Sequence, residues 1–209
     1  MEQTKTVDPI LKNAREYEKE LTRIFNRFNT HFWNEELPEV IITFVPTRRF
    51  LGHLSSYPAW VSDDDDPKYE LNISAYTISS PPEEICSTLL HEQCHLYCRI
   101  HDIKETSNNH RYHNKRFKEV AEAHGLIISY DPSIGWSPSE LNSKAKAYVK
   151  RLNIKQFGYK KEYFYKGSNL KRFSCPICHG PAVYSVIPQD VLCANCKVPL
   201  EYMPIKNPH

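Results

Sequence analysis

The chain has 209 residues, of which 40% are hydrophobic and 25% charged, with a formal net charge of +2. That suits one core domain plus a small appendage in an ordinary globular protein. No run of about 18 apolar residues exists, which excludes a membrane-spanning helix. The polar opening MEQTKTVDPILKNAREYEKE lacks the apolar core of a secretory signal, so a cytoplasmic location is expected. Seven cysteines, an odd number, argue against a disulfide framework and for metal at the two C-x-x-C pairs near the C-terminus.

In chain order, Asp8 and Pro9 open a first helix as cap and first-turn residue. Tyr17, Leu21, Ile24, Phe28 and Phe32 follow at helical spacing and mark one buried stripe. Pro38 stops the pattern, and 39-EVIITFVP-46 reads as a strand. Residues 48–62 suggest a second strand with irregular edges, and the acidic run 63–66 a solvated hairpin loop. Alternation over 69-YELNISAYTIS-79 predicts a half-buried third strand. The next helix spans 80-SPPEEICSTLLHEQCHLYCRIHD-102, with Ser80 as cap, Pro81 in the first turn and Glu83 completing a capping box. Ile85, Leu89, Leu90 and Cys94 form its apolar back face. Residues 103–113 read as a polar loop, 114–126 as a helix ended by Gly125, and 127–141 as an irregular closing segment. A helix and about three strands ahead of the central helix fit an α+β hydrolase whose sheet flanks the active-site helix.

The centre of that helix carries the chemistry. In His91-Glu92-Gln93-Cys94-His95 the two histidines lie one turn apart on one face and can share a zinc ion, while Glu92 can reach a water on that metal. A catalytic zinc takes a third protein ligand and keeps a position for water. His101 has the six-residue spacing of HExxHxxGxxH, but Cys98 stands where that pattern needs glycine to turn the chain back. Glu119 and Glu122 fit the charged face of their helix better than a ligand role. His110 and His113 both open that helix, and spacing does not separate them; Phe117, one turn on, would anchor His113.

Four separated stretches carry a resemblance to a known family: 34-NEELPEVIITFVPTRRFLGHLS-55, 82-PEEICSTLLHEQCHLY-97, 112-YHNKRFKEVAEAHGL-126 and 134-IGWS-137. Over residues 34–141 the chain resembles the SprT-like zinc metalloproteases, which include the Spartan proteases of DNA–protein crosslinks. The resemblance implies a small zincin-like domain in which the third zinc ligand is the histidine opening the H-x-x-x-F helix, here His113. It also implies Glu92 as general base. Tyr97, His110 and Tyr112 are candidates for stabilising the oxyanion, and residues 51–54 for a sheet edge on which substrate lies.

Cys175-x-x-Cys178 and Cys193-x-x-Cys196 are two knuckles able to hold one structural zinc in a ribbon of short strands, a module that often follows SprT-like domains. So short a stretch cannot bury enough surface to fold alone, so metal would supply its folding energy. Between the domains, residues 142–174 carry ten Lys/Arg against one acid, Glu162, interleaved with aromatics; part of it, 144–154, reads as a helix. Lys160, Lys161, Lys171 and Arg172 are its candidate contacts to nucleic acid, phosphates taking the charge and unpaired bases the aromatic faces. The expected layout is a protease domain at 1–142, a basic connector at 143–172 and the ribbon at 173–209. The expected protein is a monomeric zinc endopeptidase with two zinc ions, one catalytic and one structural, acting on DNA-associated or DNA-crosslinked proteins and preferring single-stranded DNA. The rival reading is a nucleic-acid-binding ribbon protein with a weak HExxH site, against which the intact Glu92 speaks.

Overall fold

The computed structural model describes residues 9–47, 50–61, 63, 65–77, 79–108, 111–156, 170–180, 182–187 and 190–203, with side chains from 14 onward. The chain divides into two compact units, Met1–Glu162 and Tyr163–His209. Among the described residues no helix is long and apolar enough to cross a membrane.

In the first unit, α1 (Pro9–Phe32) buries Tyr17, Leu21, Ile24, Phe25 and Phe28, while Phe32 at its end is half-buried. Asn34 and Glu35 turn out of the helix with positive φ, and the Asn29 side chain clasps the backbone of Leu37 from both sides (2.8 and 3.0 Å). The strands are β1 (Val40–Thr43), β2 (Gly52–Leu54), β3 (Trp60–Val61) and β4 (Pro67–Ile73). β4 is central. β1 runs parallel to it with Ile42 opposite Leu71, β2 antiparallel with His53 opposite Asn72, and β3 antiparallel with Trp60 opposite Lys68. The expected second strand is thus two short ones, and the third ends at Ile73 in a 3₁₀ turn (Ala75–Thr77). Leu71 and Ile73 enter the core; Asn72, also buried, accepts from the backbone N–H of Val45 (2.6 Å) and the hydroxyl of Thr43 (3.1 Å), which secures the end of β1.

Helix α2 (Pro82–Ile100) follows. The expected capping box does not form: Pro81 is the N-cap and no side chain bonds the first turn. A residue before proline is driven to extended backbone, so Pro82 holds Pro81 at φ −52, ψ 143 and starts the helix one residue too late for Ser80 to reach it. The amides of Glu84 and Ile85 bond the Pro81 carbonyl instead. The back face of α2 is buried as its periodicity implies, with Ile85, Cys86, Leu89, Leu90 and Cys94 in one cluster with the α1 stripe. Gln93 is the exception in that core. Its carbonyl accepts from the Trp33 indole (3.1 Å) and its amide donates to the Phe25 carbonyl (3.1 Å), so a buried polar group ties α2 to α1.

The stretch expected as a loop contains the paired strands β5 (Thr106–Ser107) and β6 (Tyr112–His113). α3 (Lys115–Ala123) is capped by Asn114, whose side chain accepts from Arg116 N–H (2.8 Å), and Gly125 (φ 103) turns the chain after it. The expected irregular closing segment holds β7 (Leu126–Ile128) and β8 (Ser139–Leu141), an antiparallel pair. α4 (Ser143–Arg151), capped by Asn142, buries Ala145 and Val149 in the same core. Its Tyr148 stacks on His31 (centroids 3.8 Å) and donates to the Arg27 carbonyl (3.1 Å). The helix at the start of the basic segment is therefore a packed element rather than a solvated one.

In the second unit, β9 (Lys171–Ser174) lies between β10 (Val183–Ser185) and β11 (Glu201–Tyr202), all antiparallel. The cysteine knuckles flank these strands.

Candidate active site

His91 and His95 project from one face of α2, and β6 delivers His113 to them. The Nε2 atoms of His91 and His113 lie 3.3 Å apart and those of His95 and His113 3.0 Å. An ion bound tetrahedrally at 2.0–2.1 Å needs nitrogens roughly 3.3 Å apart, so the three imidazoles fit zinc. Phe117 on α3 is fully buried beneath them, its ring centroid 4.6 Å from that of His91 and 4.7 Å from those of His95 and His113. The anchor expected one turn after His113 is thus a floor under all three rings.

Each ring is also gripped by its other nitrogen, which decides which nitrogen faces the ion. His91 Nδ1 meets Ser139 Oγ at 3.1 Å, and the Ser139 carbonyl in turn accepts from the Ser87 hydroxyl (2.9 Å). His95 Nδ1 meets Glu105 Oε1 at 3.2 Å, and His113 Nδ1 the Ile134 carbonyl at 3.3 Å. A carboxylate and a carbonyl only accept, so both Nδ1 atoms carry the proton and the Nε2 lone pairs point inward. Burial and the neighbouring imidazoles hold His91 far below the usual histidine range. Burial and His95 bring His113 down to about 4 despite its bond to Ile134. Neutral imidazoles are the form that binds metal. Burial works against the Glu105 anion, yet the hydrogen bond to His95 and other local contacts outweigh it and keep this carboxyl below the usual range.

A further brace holds His113. Its N–H donates to Ile134 O (2.9 Å) and its carbonyl accepts from Trp136 N–H (3.0 Å). Gly135 between them has φ 76, and a Cβ there would collide with the His113 carbonyl. Only glycine suits both the conformation and the approach.

Glu92 is buried beside the imidazoles, against β2. Its carboxyl is pushed up to about 7 by burial, partly offset by His95 and by the backbone N–H of Leu54, which donates to it. The strand comes this close because residue 52 is glycine: a Cβ would sit 2.9 Å from Thr88 Cγ2 and 3.0 Å from Glu92 Oε1. The site opens into a cleft of about 860 Å³, bordered by residues 50–54 on one side and by Ile134 and Ser137 to Leu141 on the other.

Among the described residues, the other candidates fall elsewhere. His101 pairs with Glu36 (3.3 Å), His124 stacks on Trp33 (4.0 Å), and Glu122 pairs with Lys118 (3.4 Å). Tyr97 packs against Trp33 (4.9 Å) behind α2, and Tyr112 bonds the hydroxyl of Tyr130 (2.8 Å); neither borders the cleft as an oxyanion donor must. His110, Lys160 and Lys161 lie outside the described residues. Burial pushes the thiols of Cys86 and Cys98 up to about 12 and that of Cys94 well above its usual range, which suits core residues and not nucleophiles. Sequence reasoning missed Glu105, Ser139, Gly135 and the Ile134 carbonyl. The only signal for any of them was the matched IGWS, which contains Ile134 and Gly135.

In the second unit the sulfurs of Cys175, Cys178, Cys193 and Cys196 lie within 4.8 Å of one another, with Cys178 and Cys193 3.6 Å apart. Tetrahedral Zn–S bonds of about 2.3 Å imply roughly 3.8 Å, so this group also fits zinc. Cys175 Sγ accepts from the N–H groups of Ile177 and Cys178 (3.4 and 3.5 Å) and Cys193 Sγ from that of Cys196 (3.4 Å). His179 and Lys197 close the two knuckles with positive φ. Lys171 stands 5.9 Å from the Tyr202 ring, and Arg172 pairs with Tyr184 across the sheet.

Comparison with curated proteins and with solved structures finds no match. The model of the SprT-like family matches residues 21–132. That span is more than half of the chain and contains all three imidazoles and Glu92, and on this ground the chain belongs to the SprT-like family.

Proposed function

We propose that this chain is a zinc-dependent endopeptidase acting on proteins associated with, or crosslinked to, DNA. The observation that carries the protease reading is the meeting of three inward-facing Nε2 atoms with a buried carboxylate at the floor of an open cleft. Family membership supports a metalloprotease-type function independently. His91, His95 and His113 would hold the ion. Zinc bound there supplies a Lewis acid that polarises the scissile carbonyl and makes a water acidic near neutrality. Glu92, held by the Leu54 N–H, takes the proton of the attacking water and hands it to the leaving amine, and its burial makes it a stronger base than an exposed carboxylate. β2 offers an extended polypeptide a strand to pair with beside that carboxylate.

The DNA part of the reading rests on the charge of residues 142–174, on Lys171 and Arg172 beside exposed tyrosines of the ribbon, and on the Cys₄ group. The deciding experiment is cleavage of a DNA-crosslinked protein, with and without single-stranded DNA, by wild type and by metal-loaded Glu92→Gln. Cleavage by wild type alone, stimulated by DNA, is the expected result. DNA binding without cleavage by either protein would favour a nucleic-acid-binding role and remove the protease assignment.

A further inference from the structure

The edge that borders the cleft continues beyond it. In the β2–β4 ladder the amide of Ser74 donates to Leu51 O (2.7 Å) and that of Ser55 to Glu70 O (2.8 Å), with His53 opposite Asn72. Antiparallel pairing alternates, so the peptide groups of Gly52 and Leu54 face away from β4. Ala59 N–H then donates to Lys68 O (3.0 Å). Lys68 is in step with Glu70 and Asn72, so β3 lies on the same side of β4 as β2, end to end with it, and β1 occupies the other side. Arg99, two turns after Glu92 on α2, donates to the Ser56 carbonyl (2.8 Å) and pins the junction of the two strands to the helix that carries the chemistry.

Contacts give this edge a direction. Gly52 lies against Thr88, Leu54 against Glu92 and Ser56 against Arg99, so the edge runs the same way as α2 with the catalytic carboxylate near its middle. On one side of that point stand Phe50 (50% exposed) and Leu51 (65%); on the other, Tyr57 (70%), Trp60 (49%) and Val61 (65%). Five bulky apolar side chains exposed within 12 residues of an open sheet edge make a template for another chain. The first two border the cleft itself.

We propose that residues 50–61 take up an extended, unfolded stretch of the substrate polypeptide that carries bulky apolar side chains on both sides of the bond to be cut. This rests on the endopeptidase reading and names its substrate class. A strand laid along β2 meets the carboxylate that β2 itself holds, while Phe50 and Leu51 grip one flank and Tyr57, Trp60 and Val61 the other. A folded protein hides such stretches, so the edge selects chains that are unfolded or locally opened.

The test uses the full-length, zinc-loaded protein and two 12-residue quenched-fluorescent peptides of equal charge. One has Leu and Phe at alternate positions, the other Ser and Gln. The apolar peptide is expected to show at least tenfold higher kcat/KM. Tyr57→Ser/Val61→Thr, at two exposed positions, should keep the wild-type melting temperature but lose at least threefold of that preference, through KM. In parallel, metal-loaded Glu92→Gln/Trp136→Phe is titrated with both peptides by tryptophan fluorescence, since that variant keeps only Trp60 on the edge and the buried Trp33. A blue shift with the apolar peptide alone supports the inference even if wild type cuts neither, an outcome that would sink the endopeptidase reading separately. Cleavage of both peptides with equal kcat/KM, no blue shift with the apolar peptide, an undiminished preference in the Tyr57/Val61 double variant, or a wild-type dimer that this double variant abolishes would each overturn it.

Discussion

The imidazole group and the thiol group sit in very different surroundings. His91, His95 and His113 stand on a continuous core that runs from Tyr17 to Val149, and their outer nitrogens are held by residues 10 to 48 positions away. The sulfurs of Cys175 and Cys193 are held by amides two or three residues away, and among the described residues of their unit only Phe173 and the ligands Cys175 and Cys193 are buried apolar side chains. The first site rests on an apolar core large enough to close without a metal; the second has so little core that a metal would have to supply its folding energy. Stability and metal affinity are therefore separable in the first unit and inseparable in the second.

Metal removal is the harshest way to break that contrast. With a strong chelator, or with Cys193→Ser, amide protons of residues 170–203 should lose their protection in hydrogen exchange, while those of α1 and α2 keep it. Structural zinc is worth about 10–16 kcal/mol in comparable small modules, more than so small a unit can replace. Protected ribbon amides in the zinc-free protein would show that the second unit has a core of its own.

Next in size is the brace on the third imidazole. Gly135→Ala should cost on the order of 3 kcal/mol, from the left-handed backbone and the collision with the His113 carbonyl. It should also release the zinc of the histidine site while the cysteine site keeps its own, read as a fall in zinc content from two equivalents to one. Unchanged content would mean that β6 positions His113 without this loop.

A pH experiment sharpens the picture of Glu92. Its carboxyl is raised from 4.5 to about 7 in the folded state by burial, so between those values the folded protein keeps a proton that the unfolded chain has released. Stability from this group is therefore lost as pH rises from about 4.5 to about 7. In zinc-free protein, Glu92→Gln should match wild type below pH 4.5 and gain up to roughly 3 kcal/mol above pH 7 in urea melts. The depressed imidazoles of His91 and His113 act the opposite way, weakening the fold as pH falls below about 6.5, but they do so in both proteins and cancel in the difference. A gap that does not grow with pH would mean that the carboxylate is hydrated.

The smallest effect concerns the outer grip on His95. Glu105→Gln keeps the shape of the carboxylate and removes its charge, and should weaken zinc at the histidine site by about 10–100-fold in chelator competition, with the melting temperature of the zinc-free protein little changed. Equal affinity would show that an uncharged acceptor at this position holds His95 as well as the carboxylate does.

What could be read directly from the sequence is local in the chain. The α1 stripe, the apolar back of α2, His91 and His95 one turn apart, and the paired C-x-x-C knuckles all follow from helical or knuckle geometry within a few residues. The choice of His113 over His110 came from resemblance to a family; spacing left the two level, and the structure describes only His113 beside His91 and His95. Some local rules failed where two competed, as when Pro82 overrode the cap at Ser80. The rest was decided only by tertiary structure. The pairs β5–β6 and β7–β8 are too short to show a period, and their partners are set by what they close. Glu105, Ser139 and the Ile134 carbonyl look like loop residues until folding brings them to the outer nitrogens of the three imidazoles. Residue type and spacing specify which atoms can bind a metal; which groups aim those atoms depends on contacts between segments far apart in the chain, and no local pattern records them.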